Sequence, residues 1–241
     1  PHEFDQLASA QVRKIDGVLD FAQVGATTEL LEIGSGWGQL ALQAAARGAE
    51  VQTITLSTEQ LNLARARFTE AGVTDRVRIE LRDYRDVHDQ FDAIVSVEMI
   101  EAVGEKYWPT YFQSVAENLG QSGRFGLQAI TMPHDRMLAS RHAYSWVHKY
   151  IFPGGLIPSV ESIEENCRKV GLRVVERRSL RIDYAATLKL WRYRFNERLA
   201  DVKTIGFDEV FARMWEFYLA YSEAGFASGH LDVWQFGIEK Q

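Results

Sequence analysis

The chain is 241 residues long, 46% hydrophobic and 25% charged, with a net charge of −6. That length lets one sizeable α/β domain, or a domain with a cap, bury its own core; the charge argues against general nucleic-acid binding, and no apolar run nears the roughly 20 residues of a membrane span. The single Cys167 excludes an internal disulfide and reads as a buried helix residue, the six histidines lack metal-ligand spacing, and no signal pattern opens the chain, so a cytoplasmic protein is expected.

Residues 7–21 carry Leu7, Val12, Ile15, Leu19 and Phe21 at near-helical spacing, which predicts a helix leading into the first strand. The apolar run ending in Glu32 reads as that strand, Gly34, Gly36 and Gly38 as a tight turn, and Gln39 to Arg47 as the following helix. Such a turn lets the backbone approach a ligand closely, and the unpaired amides opening the helix can hold a carboxylate or a phosphate. A dinucleotide fingerprint needs Gly-x-Gly-x-x-Gly and an acid ending the next strand; here Gln39 stands in the third glycine's place and the strand ends Thr53-Ile54-Thr55-Leu56-Ser57, which disfavours nicotinamide.

Glu50 to Leu56 is strand two, and Ser57 with Gln60 has the Ser-x-x-Gln order of a capping box. Val77 to Leu81, Phe91 to Val97 and Gly123 to Ile130 follow as strands three to five, with a helix around Pro109 to Leu119. Alternating strands and helices predict a doubly wound parallel sheet with ligands at the carboxyl ends of its strands. From Thr131 to Pro158 the rhythm breaks into aromatic, Pro- and Gly-containing sequence, which reads as a cover over the strand ends. Ser159 caps a helix to Val170, Leu172 to Leu180 is strand six, helices are expected about Ala185 to Leu199 and Asp208 to Ala224, and Leu231 to Glu239 closes as a final strand.

The expected fold is therefore α/β, a doubly wound, seven-stranded, mostly parallel sheet in one domain over 1–241, with a helical and loop cover at 131–158 and a helical insertion at 183–228. Arg168, Lys169, Arg173, Arg177, Arg178, Arg181, Lys189, Arg192 and Arg194 fall in one stretch opposed only by Glu176 and Asp183. Such a patch suits an anionic bilayer or an acidic carrier protein, or else forms the solvated faces of a strand and a helix.

Glu32-x-Gly34-x-Gly36-x-Gly38 resembles motif I of the Rossmann-like class I methyltransferases that bind S-adenosyl-L-methionine. With Thr55-Leu56-Ser57 and Gln60, Asp83-Tyr84-Arg85-Asp86, the Glu101 to Phe112 segment, Lys149-Tyr150-Ile151-Phe152-Pro153-Gly154-Gly155 and Phe217 to Phe226, the chain resembles the cyclopropane-fatty-acyl-phospholipid synthase family, including the mycolic acid cyclopropane synthases. The resemblance runs from about residue 7 to 240. Its first block is common to methyltransferases at large, whereas the Lys-Tyr-Ile-Phe-Pro-Gly-Gly and Tyr-Leu-Ala-Tyr blocks are much narrower.

This resemblance implies transfer of a sulfonium methyl to the cis double bond of an unsaturated phospholipid acyl chain, giving a cyclopropane fatty acid. It assigns Glu32, Gly34, Ser35, Gly36, Gly38 and Val97 to S-adenosyl-L-methionine, with Thr55, Leu56 and Gln60 at the ribose and Asp83, Tyr84 and Arg85 at the adenine. It implies bound bicarbonate as the base, held by Glu101, Tyr184 and the Ile130 backbone together with a residue from the amino-terminal segment that family members carry. Tyr144, Trp146, Tyr150, Phe152, Trp191, Trp215, Tyr218 and Tyr221 are candidates to steady a carbocation, or simply packed helix faces. A homodimer and a peripheral position at the inner membrane face are compatible with it.

The chain departs from the family pattern in two places and lacks two imidazoles found there. Many members read Phe-Glu-His-Val-Gly where this chain reads Ile100-Glu101-Ala102-Val103-Gly104, and many carry His where Gln128 stands. Gln128 still offers hydrogen bonds, so an anion site stays open while its proton handling must differ. Members also carry a longer amino-terminal segment, and this chain starts at Pro1, so a fragment is expected. Altered deprotonation opens a second product, a methylene branch that a separate reductase would convert to a methyl branch; a small-molecule methyltransferase and an inactive cofactor-binding fragment stay open too.

Overall fold

The computed structural model describes residues 4–241. Helix α1 (Phe4–Phe21) leads into β1 (Glu29–Ile33), followed by α2 (Gln39–Ala46), β2 (Glu50–Thr55), α3 (Thr58–Glu70), β3 (Val77–Leu81) and β4 (Phe91–Val97). Then come α4 (Ile100–Val103), α5 (Trp108–Asn118), β5 (Leu119–Thr131), α6 (His134–Ser140), α7 (Trp146–Tyr150) and α8 (Val160–Lys169). The order ends with β6 (Leu172–Ser179), α9 (Arg181–Glu197), α10 (Leu199–Thr204), α11 (Glu209–Ala227) and β7 (Asp232–Lys240).

The strands form one seven-stranded sheet in the order β3-β2-β1-β4-β5-β7-β6. The first five in that order pair in parallel, and β7 runs antiparallel to both β5 and β6. Successive residues of a strand point to opposite faces, so a sheet covered on both sides needs apolar residues at adjacent positions. In β1, Leu30 packs with Val18, Leu19, Ala41 and Phe68 on the face of α1, α2 and α3. Its neighbours Leu31 and Ile33 pack with Phe112, Phe125 and Ile163 on the face of α5 and α8. Cys167 lies buried in that second core, where burial pushes its thiol up to about 12 and removes it as a nucleophile. Between β1 and β4 the strand order reverses, which opens a crevice at their carboxyl ends.

Three expectations shift. Leu119 ends no helix but opens β5, because it pairs with Phe91 before the register slips between Phe91 and Ala93. The stretch before β7 holds α9, α10 and α11 rather than two helices, and α9 begins at Arg181. The basic stretch is not unopposed once folded: Lys169 meets Glu165 at 2.8 Å, Arg173 meets Glu239 at 2.6 Å, Arg177 meets Glu164 at 2.9 Å and Arg192 meets Glu223 at 3.0 Å. Those acids come from α8, α11 and β7, so at least four of the nine basic residues clustered in sequence are paired in space.

Residues 131–158 run from the end of β5 through α6 and α7. Leu156 donates its amide to Glu101 O at 3.0 Å, and Met132 donates to Pro158 O at 3.0 Å, which ties both ends of the segment to the carboxyl side of the sheet. No helix among the described residues is long and apolar enough to cross a membrane.

Candidate active site

Two clusters sit at the carboxyl ends of the strands. The first begins where β1 ends. Gly34, Gly36 and Gly38 have φ values of 92°, 48° and 84°, which side-chain-bearing residues adopt only under strain. Their surroundings differ: a Cβ on Gly38 would lie 2.8 Å from Phe68 Cε1 and 3.0 Å from Ala64 Cβ, whereas one on Gly36 would meet nothing within 4 Å. Gly38 is thus required by packing, and Gly36 faces open space. Gly34 and Ser35 both donate their amides to Ile54 O at 3.0 Å, anchoring the turn on β2. Gly38 caps α2 without a side-chain hydrogen bond, so the first-turn amides remain for a ligand.

Glu32 is only 3% exposed and accepts a 2.6 Å hydrogen bond on Oε2 from Thr53 Oγ1, its cross-strand partner. Burial outweighs that bond and pushes its carboxyl up to about 8, which favours the neutral form. Ser57 caps α3 as expected, accepting from the Gln60 amide, but the box is not reciprocal. Thr55 Oγ1 accepts the Ser57 amide at 3.1 Å and donates to Gln60 Oε1 at 2.7 Å. Gln60 is therefore held with its carbonyl toward Thr55 and its NH2 group directed away. Asp83 accepts from the Arg85 amide and from its guanidinium at 2.7–2.9 Å, and those Arg85 bonds hold the Asp83 carboxyl below the usual range. The Arg85 side chain is thereby committed to Asp83. Tyr84 packs edge-on to Tyr111, Val97 is half-buried at the end of β4, and Leu56 is 72% exposed. Trp37, 54% exposed within the glycine turn, is an exposed apolar residue that the motif reading passed over.

The second cluster draws on β4, α4, β5, α9, β6 and β7. All four expected residues, Glu101, Gln128, Ile130 and Tyr184, come together, joined by Glu98, Gln235 and Arg178. Arg178 can only donate, so the Gln235 amide is oriented with Oε1 toward Arg178 Nη2, at 2.6 Å. Gln235 Nε2 then donates to Lys14 O and to Gln128 Oε1, each at 2.8 Å. Gln128 must in turn direct Nε2 to Glu98 Oε1, at 2.7 Å, and to the Tyr184 hydroxyl, at 2.8 Å. Tyr184 donates its O–H to the same Glu98 oxygen. Gln128 and Gln235 are fully buried, and they lie opposite each other in the β5–β7 register.

Glu101 Oε1 accepts the Ile130 amide at 2.5 Å, while Oε2 is buried without a partner. Burial, reinforced by the neighbouring Glu98, pushes the Glu101 carboxyl up to about 8. Burial also raises the Tyr184 phenol well above its ordinary value, so it stays a donor. Of the donors that an added bicarbonate would need, Tyr184 is spent on Glu98, both Gln128 protons on Glu98 and Tyr184, and the Ile130 amide on Glu101, which leaves only the Glu101 carboxyl with its unpartnered Oε2. The residues present do not fit that anion. His148 does not make up for the absent imidazoles, because its ring nitrogens engage Ser145 and Gly155 O.

Beside this cluster lies an apolar wall of Leu188, Leu219, Phe226 and Val233, flanked by Ile130, Trp215 and Tyr218. Tyr184 packs at 5.4 Å on Phe226, and Phe152 of the 131–158 segment meets Tyr218 edge-on at 6.0 Å. Trp146 stacks edge-on against Phe217, while Tyr144, Tyr150, Trp191 and Tyr221 are exposed. Among the described residues no group of His, Cys, Asp and Glu could hold a metal ion. Glu98 and Gln235 were not legible as site residues: the only local signal is the position of Glu98 at the end of β4, and Gln235 is brought in by strand register alone.

Set beside known proteins, residues 2–236 match the family described as mycolic acid cyclopropane synthetase. Over 237 residues the chain is 55% identical to a tuberculostearic acid methyltransferase of Mycobacterium tuberculosis, covering 98% of this chain and 56% of that protein. It is 35% identical over 232 residues to the cyclopropane-fatty-acyl-phospholipid synthase of Escherichia coli, covering 96% of this chain and 58% of the other. The chain thus spans little more than half the length of these curated relatives. Among solved structures, mycolic acid cyclopropane synthase CmaA1 complexed with SAH and CTAB superposes with a TM-score of 0.90 at 26% identity, covering 99% of this chain and 88% of that one.

Proposed function

Because the chain belongs to the mycolic acid cyclopropane synthetase family, we propose that it is an S-adenosylmethionine-dependent C-methyltransferase acting on the cis double bond of an unsaturated phospholipid acyl chain, with a methylene branch as its product. When bound, S-adenosylmethionine supplies an electrophilic methyl whose transfer to one alkene carbon leaves a carbocation on the other. The glycine turn and the α2 amides suit its carboxylate, Gln60 has an NH2 group to offer its ribose, and Asp83 with Tyr84 suits the adenine end. Gly36 fits the group in particular, since its open side is where a Cβ would intrude.

The apolar wall of α9, α11 and Val233 takes the acyl chain and keeps water from the cation. The faces of Tyr184 and Tyr218 border that wall and can steady positive charge. The observation that carries the choice of product is the state of Gln128. Ring closure requires a proton from the newly added methyl at once; here no imidazole is present, and both Gln128 protons are committed. A slower deprotonation leaves time for a hydride to shift from the methyl-bearing carbon to the cationic carbon, which brings the positive charge next to the new methyl; loss of a proton from that methyl then gives a methylene branch. The 55% identity to a protein named for tuberculostearic acid, a methyl-branched acid, supports the same choice.

The test is incubation of the protein with methyl-labelled S-adenosylmethionine and unsaturated phospholipid vesicles, followed by proton NMR of the extracted acyl chains. Vinylidene signals are expected. High-field ring protons would replace the branch with a cyclopropane, and label absent from the acyl chain would remove the lipid substrate.

A further inference from the structure

The cluster that fails to fit a bound anion already contains one. Tyr184 O–H and Gln128 Nε2 converge on a single oxygen of Glu98, and Glu98 O–C–O is half-buried between the ends of β4 and β5 beside the apolar wall. We propose that the Glu98 carboxylate occupies the place of a bound anion and is itself the base that takes the proton from the methylated acyl cation. This rests on the C-methyltransferase reading above.

Two further observations support it. Glu98 has a φ of 51°, a left-handed conformation that strains a side-chain-bearing residue and that glycine adopts freely. A strained non-glycine residue kept at the crevice between β1 and β4 points to a use for its side chain. Its backbone is fixed there, with the Glu98 amide donating to Gln128 O at 2.8 Å. Next to it, burial and the neighbouring Glu98 push the Glu101 carboxyl up, which favours its neutral form. Among the described residues Glu98 Oε2 receives no hydrogen bond, which leaves that oxygen to meet substrate. In the step, a C–H bond of the cation breaks, its electron pair becomes the second bond of the methylene group, and the proton passes to Glu98; it returns to water as product leaves.

The test pairs Glu98→Gln with Glu98→Gly, the latter suited to the observed φ. Glu98→Gln is expected to cut turnover at least about a hundredfold, in line with loss of a general base, while cofactor affinity stays within error. Turnover of the unaltered protein in carbon-dioxide-free buffer should not rise on adding bicarbonate, whereas Glu98→Gly should be rescued by it. Independently of any lipid, carbon-13 bicarbonate observed by NMR should show saturable binding to Glu98→Gly and none to the unaltered protein. Saturable binding to the unaltered protein, absence of binding to Glu98→Gly, bicarbonate-dependent turnover of the unaltered protein, or near-normal turnover of Glu98→Gln would each overturn the proposal. Should the unaltered protein methylate no unsaturated lipid, the methyltransferase reading fails, and the bicarbonate titration still decides who occupies the anion position.

Discussion

Glu101 Oε1 accepts the Ile130 amide at 2.5 Å, yet Glu101 Oε2, buried in the same place, has no partner. A carboxyl satisfied on one side only is better accommodated neutral, and burial acts the same way on Glu32, whose Oε2 accepts from Thr53. Both carboxyls are pushed from 4.5 up to about 8. Between those values the folded state holds more protons than the unfolded chain, so stability is fullest below about 4.5 and falls as pH rises toward about 8. Each group contributes a slope of at most about 1.4 kcal/mol per pH unit. Glu101→Gln keeps a donor at the buried position and abolishes the titration, so its melting temperature should fall less than that of the unaltered protein between pH 5 and pH 8. Parallel melting curves for the two would refute the neutral carboxyl.

Gly36 and Gly38 share a turn but answer to different constraints. Gly38→Ala drives a Cβ to 2.8 Å from Phe68 and should lower thermal stability through packing. Both variants carry the backbone strain of a positive φ, but a Cβ on Gly36 meets no protein atom within 4 Å, and Gly36→Val should abolish S-adenosylmethionine binding by calorimetry. Unchanged affinity in Gly36→Val would remove this turn from the cofactor site.

Gln60 is oriented by Thr55 rather than by the helix cap it was expected to complete. Gln60→Ala should therefore weaken cofactor binding about tenfold, the worth of one hydrogen bond, with little change in kcat. Thr55→Val, which frees Gln60 to rotate, should produce a smaller loss in the same direction. If neither variant alters affinity, the ribose contact lies elsewhere.

The sheet and the glycine turn could be read from the sequence because each has a local signature, a strand pattern and a φ demand, whereas the meeting of Glu101, Gln128, Ile130 and Tyr184 is implied only by the family resemblance. What could not be read depends on distance. Arg177 reads as part of an unopposed basic run, and only packing of α8 against β6 brings Glu164 to it. Gln235 lies 107 positions from Gln128, and only the antiparallel return of β7 makes them neighbours. Glu98 looks like one more strand-end acid until the hydroxyl of Tyr184 closes on it.

That register makes Gln235 a positioning residue with a testable role. Its Nε2 donates to Gln128 Oε1, and this bond aims the Gln128 NH2 group at Glu98 and Tyr184. In Gln235→Glu the new carboxylate can accept from Arg178 but cannot donate to Gln128, which then turns its own NH2 group toward position 235. Glu98 loses one of the two donors that hold it. The expected outcome is a kcat lowered about tenfold, the cost of one hydrogen bond to a charged group, with KM and cofactor affinity unchanged. In a Glu98→Gln background the same substitution should lower kcat no further, because the group that Gln128 was holding is already gone. Additive losses in the double variant would show that Gln235 does not act through Glu98.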